Sequence, residues 1–124
     1  MTAPHLHTGR KSEEFARTWL KAKGLSHICS NFSCRFGELD LVMLDQGCLV
    51  IVEVRYRRSP DYGGALMSVT ATKQMRIARA TECFRQQHRQ FRNTPLRFDV
   101  LALSGPPAKP EIEWCKNAFN FDSG

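Results

Sequence analysis

The chain has 124 residues, 42% of them hydrophobic, which suits a single globular domain around one core. No apolar run approaches the about 20 residues of a membrane span, and the opening MTAPHLHTGRKSEEF has no apolar signal region, so a cytoplasmic protein is expected and a membrane protein is not. The net charge is +6, and the five cysteines (29, 34, 48, 83 and 115) follow no framework spacing, as expected of free thiols in a reducing compartment.

Residues 1–10, with the triplet His5-Leu6-His7, read as a flexible lead-in. Residues 12–23 read as a helix: Ser12 supplies a cap, Gly24 a stop, and Phe15, Ala16, Trp19, Leu20 and Ala22 an apolar side. On a helical projection Glu13 falls at the edge of that apolar side, within reach of a neighbouring sheet, and Glu14 lies farther out. LSHICSNF (25–32) is a strand, and ELDLVML and CLVIVEVRY are two more, joined by the turn signal DQG. RRSPDYGG (57–64) is a loop, and a basic helix follows from about residue 70 to residue 91. Along that helix Ile77, Ala80, Phe84 and Phe91 mark the buried stripe. Lys73 falls in the middle of the stripe and aims at the sheet, Arg79 points away, and Arg85, Arg89 and Arg92 form a separate flank. LRFDVLAL (96–103) is a strand, SGPPAKP a break and EIEWC a last strand; Trp19 and Trp114 sit in apolar-patterned segments and read as core. The order αβββαββ, without repeats or a second domain, gives one α/β domain over residues 1–124, with a mixed central sheet flanked by helices.

Asp40 and Glu53 interrupt the two most core-like strands. If Gln46 and Gly47 alone form the turn, Asp40 faces Glu53 and Glu38 faces Arg55, with opposed Cβ atoms about 4.5–5.5 Å apart. Two carboxylates so placed repel unless a cation lies between them, and a hard divalent ion with oxygen ligands is the usual solution. A three-residue turn would separate the two acids. Ordinary alternation on a wet sheet face, with Glu38 and Arg55 as a surface pair, is the alternative.

Between Arg55 and Arg97 there are ten Lys/Arg against two acids, Asp61 and Glu82. That local excess favours a polyanion such as nucleic acid, or else forms a solvated helix face.

The motifs GxxxExxA (Gly9, Glu13, Ala16), NxxxxxGELDLV (31–42), VIVEVRYR (50–57), Lys73, RFDV (97–100) and NAF (117–119) resemble the YraN family of small bacterial proteins across nearly the whole chain. That family resembles the restriction-endonuclease-like, or PD-(D/E)xK, superfamily and its Holliday-junction resolvases, which share an αβββαβ core. The resemblance implies that Asp40, Glu53 and the backbone carbonyl of Val54 ligate Mg²⁺ or Mn²⁺, with Glu13 assisting from the first helix. It implies a nuclease-like phosphodiester hydrolase acting on nucleic acid, DNA more than RNA and branched DNA among its forms, as a homodimer. The third motif position is usually Lys and here is Arg55, which stays protonated and is a poor base. Lys73 or Arg57 would have to compensate. The catalytic candidates are therefore Glu13, Asp40, Glu53, Arg55 and Lys73. Arg57, Arg58, Lys73, Arg76, Arg85, Arg89 and Arg92 are the candidates for phosphate contacts. A nucleic-acid-binding module on the same fold, with little or no cleavage because of Arg55, is the competing expectation. A zinc-held interaction domain using Cys29, Cys34 and Cys48 has no common finger spacing, and a membrane-surface protein lacks the strongly apolar helix face it needs.

Overall fold

The computed structural model describes residues 4–57 and 69–120, with side chains from residue 10 onward. The elements are α1 (Pro4–Ala22), β1 (Ser26–Cys34), β2 (Gly37–Asp45), β3 (Cys48–Arg57), α2 (Ala71–Gln87), a 3-10 turn (Arg89–Phe91), β4 (Leu96–Ser104) and β5 (Glu111–Phe119). They form one five-stranded sheet in chain order. Neighbours are antiparallel except β3 and β4, which run parallel and are connected through α2. Residues 58–68, which hold most of the RRSPDYGG segment, lie outside the described residues.

The two helices cover opposite faces of the sheet. Ala16 and Leu20 of α1 pack on Leu41, Met43, Val50, Val52, Leu101 and Leu103. Ile77, Ala80 and Phe84 of α2 pack on Leu39, Val42, Leu49, Ile51, Phe98 and Val100. A strand covered on both sides buries consecutive residues, which explains the unbroken apolar run at the start of β3. Trp19 and Trp114, read as core, are half-buried and meet edge to face at 5.7 Å against the margin of the α1 core. Among the described residues no helix is long and apolar enough to cross a membrane.

The turn between β2 and β3 has the two residues expected. Asp45 pairs with Cys48, and Gln46 (φ 50°) and Gly47 (φ 83°) take the left-handed angles of a type I′ hairpin. Two helix boundaries differ from expectation. α1 begins at Pro4, so the stretch read as flexible is helical from that residue, and Ser12 is a buried helical residue rather than a cap. Proline at the first helical position lacks only an amide that would find no intrahelical partner there. α2 stops at Gln87 because His88 leaves the helical region (φ −125°, ψ 78°), which puts Phe91 on the 3-10 turn and leaves Thr81 to complete the buried stripe.

A further acid, in the RFDV motif, is fully buried. Asp99 has no exposed surface. Its Oδ1 accepts from Arg97 Nε at 2.9 Å and from the Asn117 amide at 2.9 Å. Its Oδ2 accepts from Arg97 Nη2 at 3.0 Å and from Trp114 Nε1 at 2.9 Å. Arg97 also reaches Asp45 at 3.2 Å, so this cluster ties β4 and β5 to the β2–β3 turn. The Asn117 amide is free for this role because β5 bulges there with φ 53°. Replacing Asp99 by Ala leaves Arg97 with Asp45 alone and the Trp114 and Asn117 donors without their acceptor. Urea unfolding should show a loss of roughly 3–5 kcal/mol, and a loss below about 1 kcal/mol would refute a structural role for this network.

Candidate functional site

The site begins with a break in strand alternation. Leu39 and Leu41 are two positions apart on β2, yet they join the cores on opposite faces of the sheet. In a regular strand they would share a face. The phase changes at Asp40, and on β1 the facing position between the pairs Ser30–Leu41 and Phe32–Leu39 is Asn31, with φ 55°. Asparagine tolerates that left-handed conformation better than most residues.

The break decides what becomes of the expected acid pair. The β2–β3 ladder runs from Asp45–Cys48 to Leu41–Val52, one position short of Asp40 and Glu53. Asp40 and Glu53 therefore do not oppose each other as a regular ladder pair. Instead the Val54 amide, released from the ladder, donates to Asp40 Oδ2 at 2.9 Å. Two carboxylates forced face to face would repel, and a backbone N–H is the better partner for one of them.

Glu53 has a different environment. Its side chain is 5% exposed, and Oε2 receives Lys73 Nζ at 2.8 Å and Arg55 Nη2 at 3.4 Å. Lys73 lies in the first turn of α2, where its amide donates to the Thr70 cap at 3.2 Å. The cap thus fixes the turn that aims the ammonium at Glu53, as the helical projection expected. Arg55 shares the face of Glu53, and its Nε is the only buried side-chain nitrogen or oxygen among the described residues without a hydrogen-bond partner.

On the other side of Asp40 the acids collect without cations. Carboxylate oxygens of Glu13, Glu38 and Asp40 lie within 4.8 Å of one another, and among the described residues none of the three has an ion pair. Burial pushes the Glu13 carboxyl up, Glu38 and Glu53 push it further, and a hydrogen bond from the Asn31 side chain opposes them. Asp40 is pushed up to about 8, first by burial and then by the charge and hydrogen bonding of Glu53, with only the Val54 amide acting strongly the other way. This donor set suits a divalent cation. It has three hard oxygen ligands in mutual reach and no cation paired with them among the described residues, while Lys73 and Arg55 stand on Glu53.

The structure thus brings Glu13, Asp40, Glu53, Arg55, Lys73 and the Val54 backbone into one place. Glu38, read as a partner for Arg55, belongs to the acid cluster instead. Its spacing two residues before Asp40 was the available signal. Among the phosphate candidates, Arg57 ends β3 and is exposed, Arg76 is exposed on α2, and Arg89 and Arg92 are exposed on and after the 3-10 turn. Arg85 is occupied: it pairs with Glu82 and donates to the carbonyls of Phe91 and Arg92. Arg58 lies outside the described residues. The cysteines form no disulfide, and the acid cluster contains none of them.

The raised carboxyl of Asp40 has a consequence for stability. Unfolded, it titrates near its ordinary value of about 3.9, so between that pH and about 8 the folded state binds more protons than the unfolded one. Stability from this residue is therefore lost as pH rises through that window. Between pH 6 and 8.5, in chelator and without divalent ions, urea unfolding should show a fall of roughly 2 kcal/mol that Asp40→Asn largely removes. An equal slope in the variant would show that Asp40 is not the residue responsible.

Residues 12–103 match the family described as "Uncharacterised protein family UPF0102". The chain is 46% identical over 112 residues to a UPF0102 protein of Stutzerimonas stutzeri, covering 90% of this chain and 93% of that one. It is 49% identical over 116 residues to a UPF0102 protein of Ectopseudomonas mendocina, covering 94% and 97%. Similarity to a UPF0102 protein of Alcanivorax borkumensis is 44% over 115 residues, 91% of each chain. The aligned segments take in nearly the whole of both chains, and the chain belongs to uncharacterised protein family UPF0102, which is the YraN family its motifs resemble.

Proposed function

We propose that this chain is a divalent-metal-dependent, nuclease-like protein that binds nucleic acid, chiefly DNA, in the cytoplasm and hydrolyses its phosphodiester bonds as a homodimer. The observation that carries the proposal is the division of charge around Asp40. Carboxylates without an ion pair among the described residues stand on one side, and a buried carboxylate with two cations stands on the other.

Glu13, Asp40, Glu53 and the Val54 carbonyl would hold Mg²⁺ or Mn²⁺, with Glu38 as an additional acid. Such an ion supplies Lewis acidity at a phosphate oxygen and makes a water acidic enough to attack near neutral pH. The remaining chemistry belongs to the side chains. Lys73 and Arg55 stand 2.8 and 3.4 Å from Glu53, close enough to place their charge against a phosphate beside it. The Nε–H of Arg55 is buried beside Glu53 and has no hydrogen-bond partner among the described residues. Arg55 stabilises charge but takes no proton from water, so proton removal falls to a carboxylate or to Lys73. Arg57, Arg58, Arg76, Arg89 and Arg92 contact neighbouring phosphates, which positions the strand without reading its sequence.

The same Arg55 favours a second reading, a nuclease fold that binds nucleic acid and cuts it slowly or not at all. Nicked, branched and single-stranded DNA incubated with Mg²⁺ or Mn²⁺ separates the two. Cleavage should appear and fall roughly a hundredfold or more in Asp40→Ala, while binding persists. Arg55→Lys should raise the rate if the guanidinium limits turnover. Binding without cutting on every substrate, in wild type and in Arg55→Lys, would establish the binding module. Affinity should also drop steeply between about 50 and 200 mM salt, and a flat dependence would count against phosphate recognition.

A further inference from the structure

We propose that a trough between the β1–β2 turn and the outer side of α2 holds an unpaired, single-stranded segment of nucleic acid beside the carboxylate cluster. This inference rests on the nucleic-acid reading above and goes beyond it in assigning a strand type and the residues that receive it.

Arg35 and Phe36 form the turn that joins Cys34 to Gly37. Two openings of about 510 and 520 Å³ share Arg35, Phe36 and Arg79 as walls, so they form one trough. One end runs toward Cys83 and the other toward Met75 and Arg76. The guanidinium carbons of Arg35 and Arg79 lie 4.8 and 5.9 Å from the centre of the Phe36 ring. Both are cation–π distances, so an aromatic ring and planar cations are gathered along one wall. Among the described residues Arg35, Arg76 and Arg79 have no acidic partner, and Glu82, the one acid in the lining, pairs with Arg85 at 3.7 Å. Met75 adds an exposed apolar surface.

A solvated helix face does not call for this arrangement, since acids spaced by one turn would neutralise it at no cost. Uncompensated cations around an aromatic ring match a ligand that is anionic along its backbone and flat in its side groups. Single-stranded nucleic acid has both properties, and its bases are free to stack. A duplex keeps its bases inside the helix and offers the trough only phosphates.

The trough also lies next to the acid cluster along both the β1–β2 turn and α2. A Cβ placed on Gly37 would stand 3.6 Å from Cβ of Arg76, so α2 passes directly over the turn. Glu38, the next residue, is one of the three converging acids. On the helix, Arg76 follows by one turn the Lys73 that bonds Glu53. A strand lying in the trough therefore leads to the place where a phosphodiester would be held.

Fluorescence anisotropy with a labelled DNA carrying a single-stranded flap, compared with a blunt duplex, tests the assignment in chelator. Phe36→Leu and Arg79→Gln should each weaken flap binding roughly five- to a hundredfold, with less than about a twofold change on the duplex. Arg79→Gln should also lower the salt dependence on the flap by about one ion. Arg79 is exposed, so this variant keeps the fold even if Phe36→Leu does not, and thermal melts verify both. Wild type that binds while both folded variants retain flap affinity, or weaken equally on the two probes, would overturn the trough and leave the nucleic-acid reading standing. Wild type that binds neither probe would overturn both. Displacement of the flap by a polyglutamate peptide as readily as by unlabelled single strand would assign the trough to an acidic protein segment, against this proposal.

Discussion

Leu39 packs under α2 and Leu41 under α1, which requires β2 to change phase between them. The phase change is what makes the site. It interrupts the ladder to β3 and frees the Val54 amide, which then holds Asp40 between the two strands. From that position Asp40 faces Glu53 on one side and Glu13 with Glu38 on the other. A β2 of regular pleat would have put Asp40 on one face only, and the carboxylates of α1 and β3 would not share it. Burying apolar side chains on both faces of one strand is worth roughly 1.5–3 kcal/mol per side chain, which is enough to hold an acid that would otherwise prefer water.

The charge distribution around Asp40 is asymmetric in a way that stability does not require. Lys73 and Arg55 both serve Glu53, while among the described residues the three acids on the other side have no cation. The protein contrasts this with Asp99, an acid of full burial whose four hydrogen bonds satisfy both of its oxygens. Asp99 shows how this fold treats a carboxylate that only has to be stable. Each acid stands opposite an asparagine in left-handed conformation on the adjacent strand, Asn31 for Asp40 and Asn117 for Asp99. The Asp40 carboxyl is raised, and perturbed acids of that kind concentrate where a ligand supplies the missing charge.

Much of this was legible from residue order. The hairpin followed from DQG because Gln46 and Gly47 tolerate positive φ, and the aim of Lys73 followed from its angular place on the stripe of α2. What escaped was whatever depends on departures from regular geometry. Alternation puts Glu38 across from Arg55, and nothing local in the sequence announces that β2 slips phase at Asp40. The extra helical turns before Ser12 were obscured by histidines and a proline that read as a lead-in. The end of α2 depends on the dihedral angles of His88, and the occupation of Arg85 by the Phe91 and Arg92 carbonyls follows from that end. The Asp99 network joins residues far apart in sequence, so RFDV and NAF could be noticed as motifs without their shared purpose being visible.

The central claim is that the carboxylates gathered at Asp40 form a divalent-cation site, and calorimetric titration of Mn²⁺ into the metal-stripped protein near pH 8 tests it most directly. A saturable site in the wild type that Asp40→Asn removes, with the variant folded, is the result expected. No binding by the wild type, or equal binding by the two proteins, would contradict it.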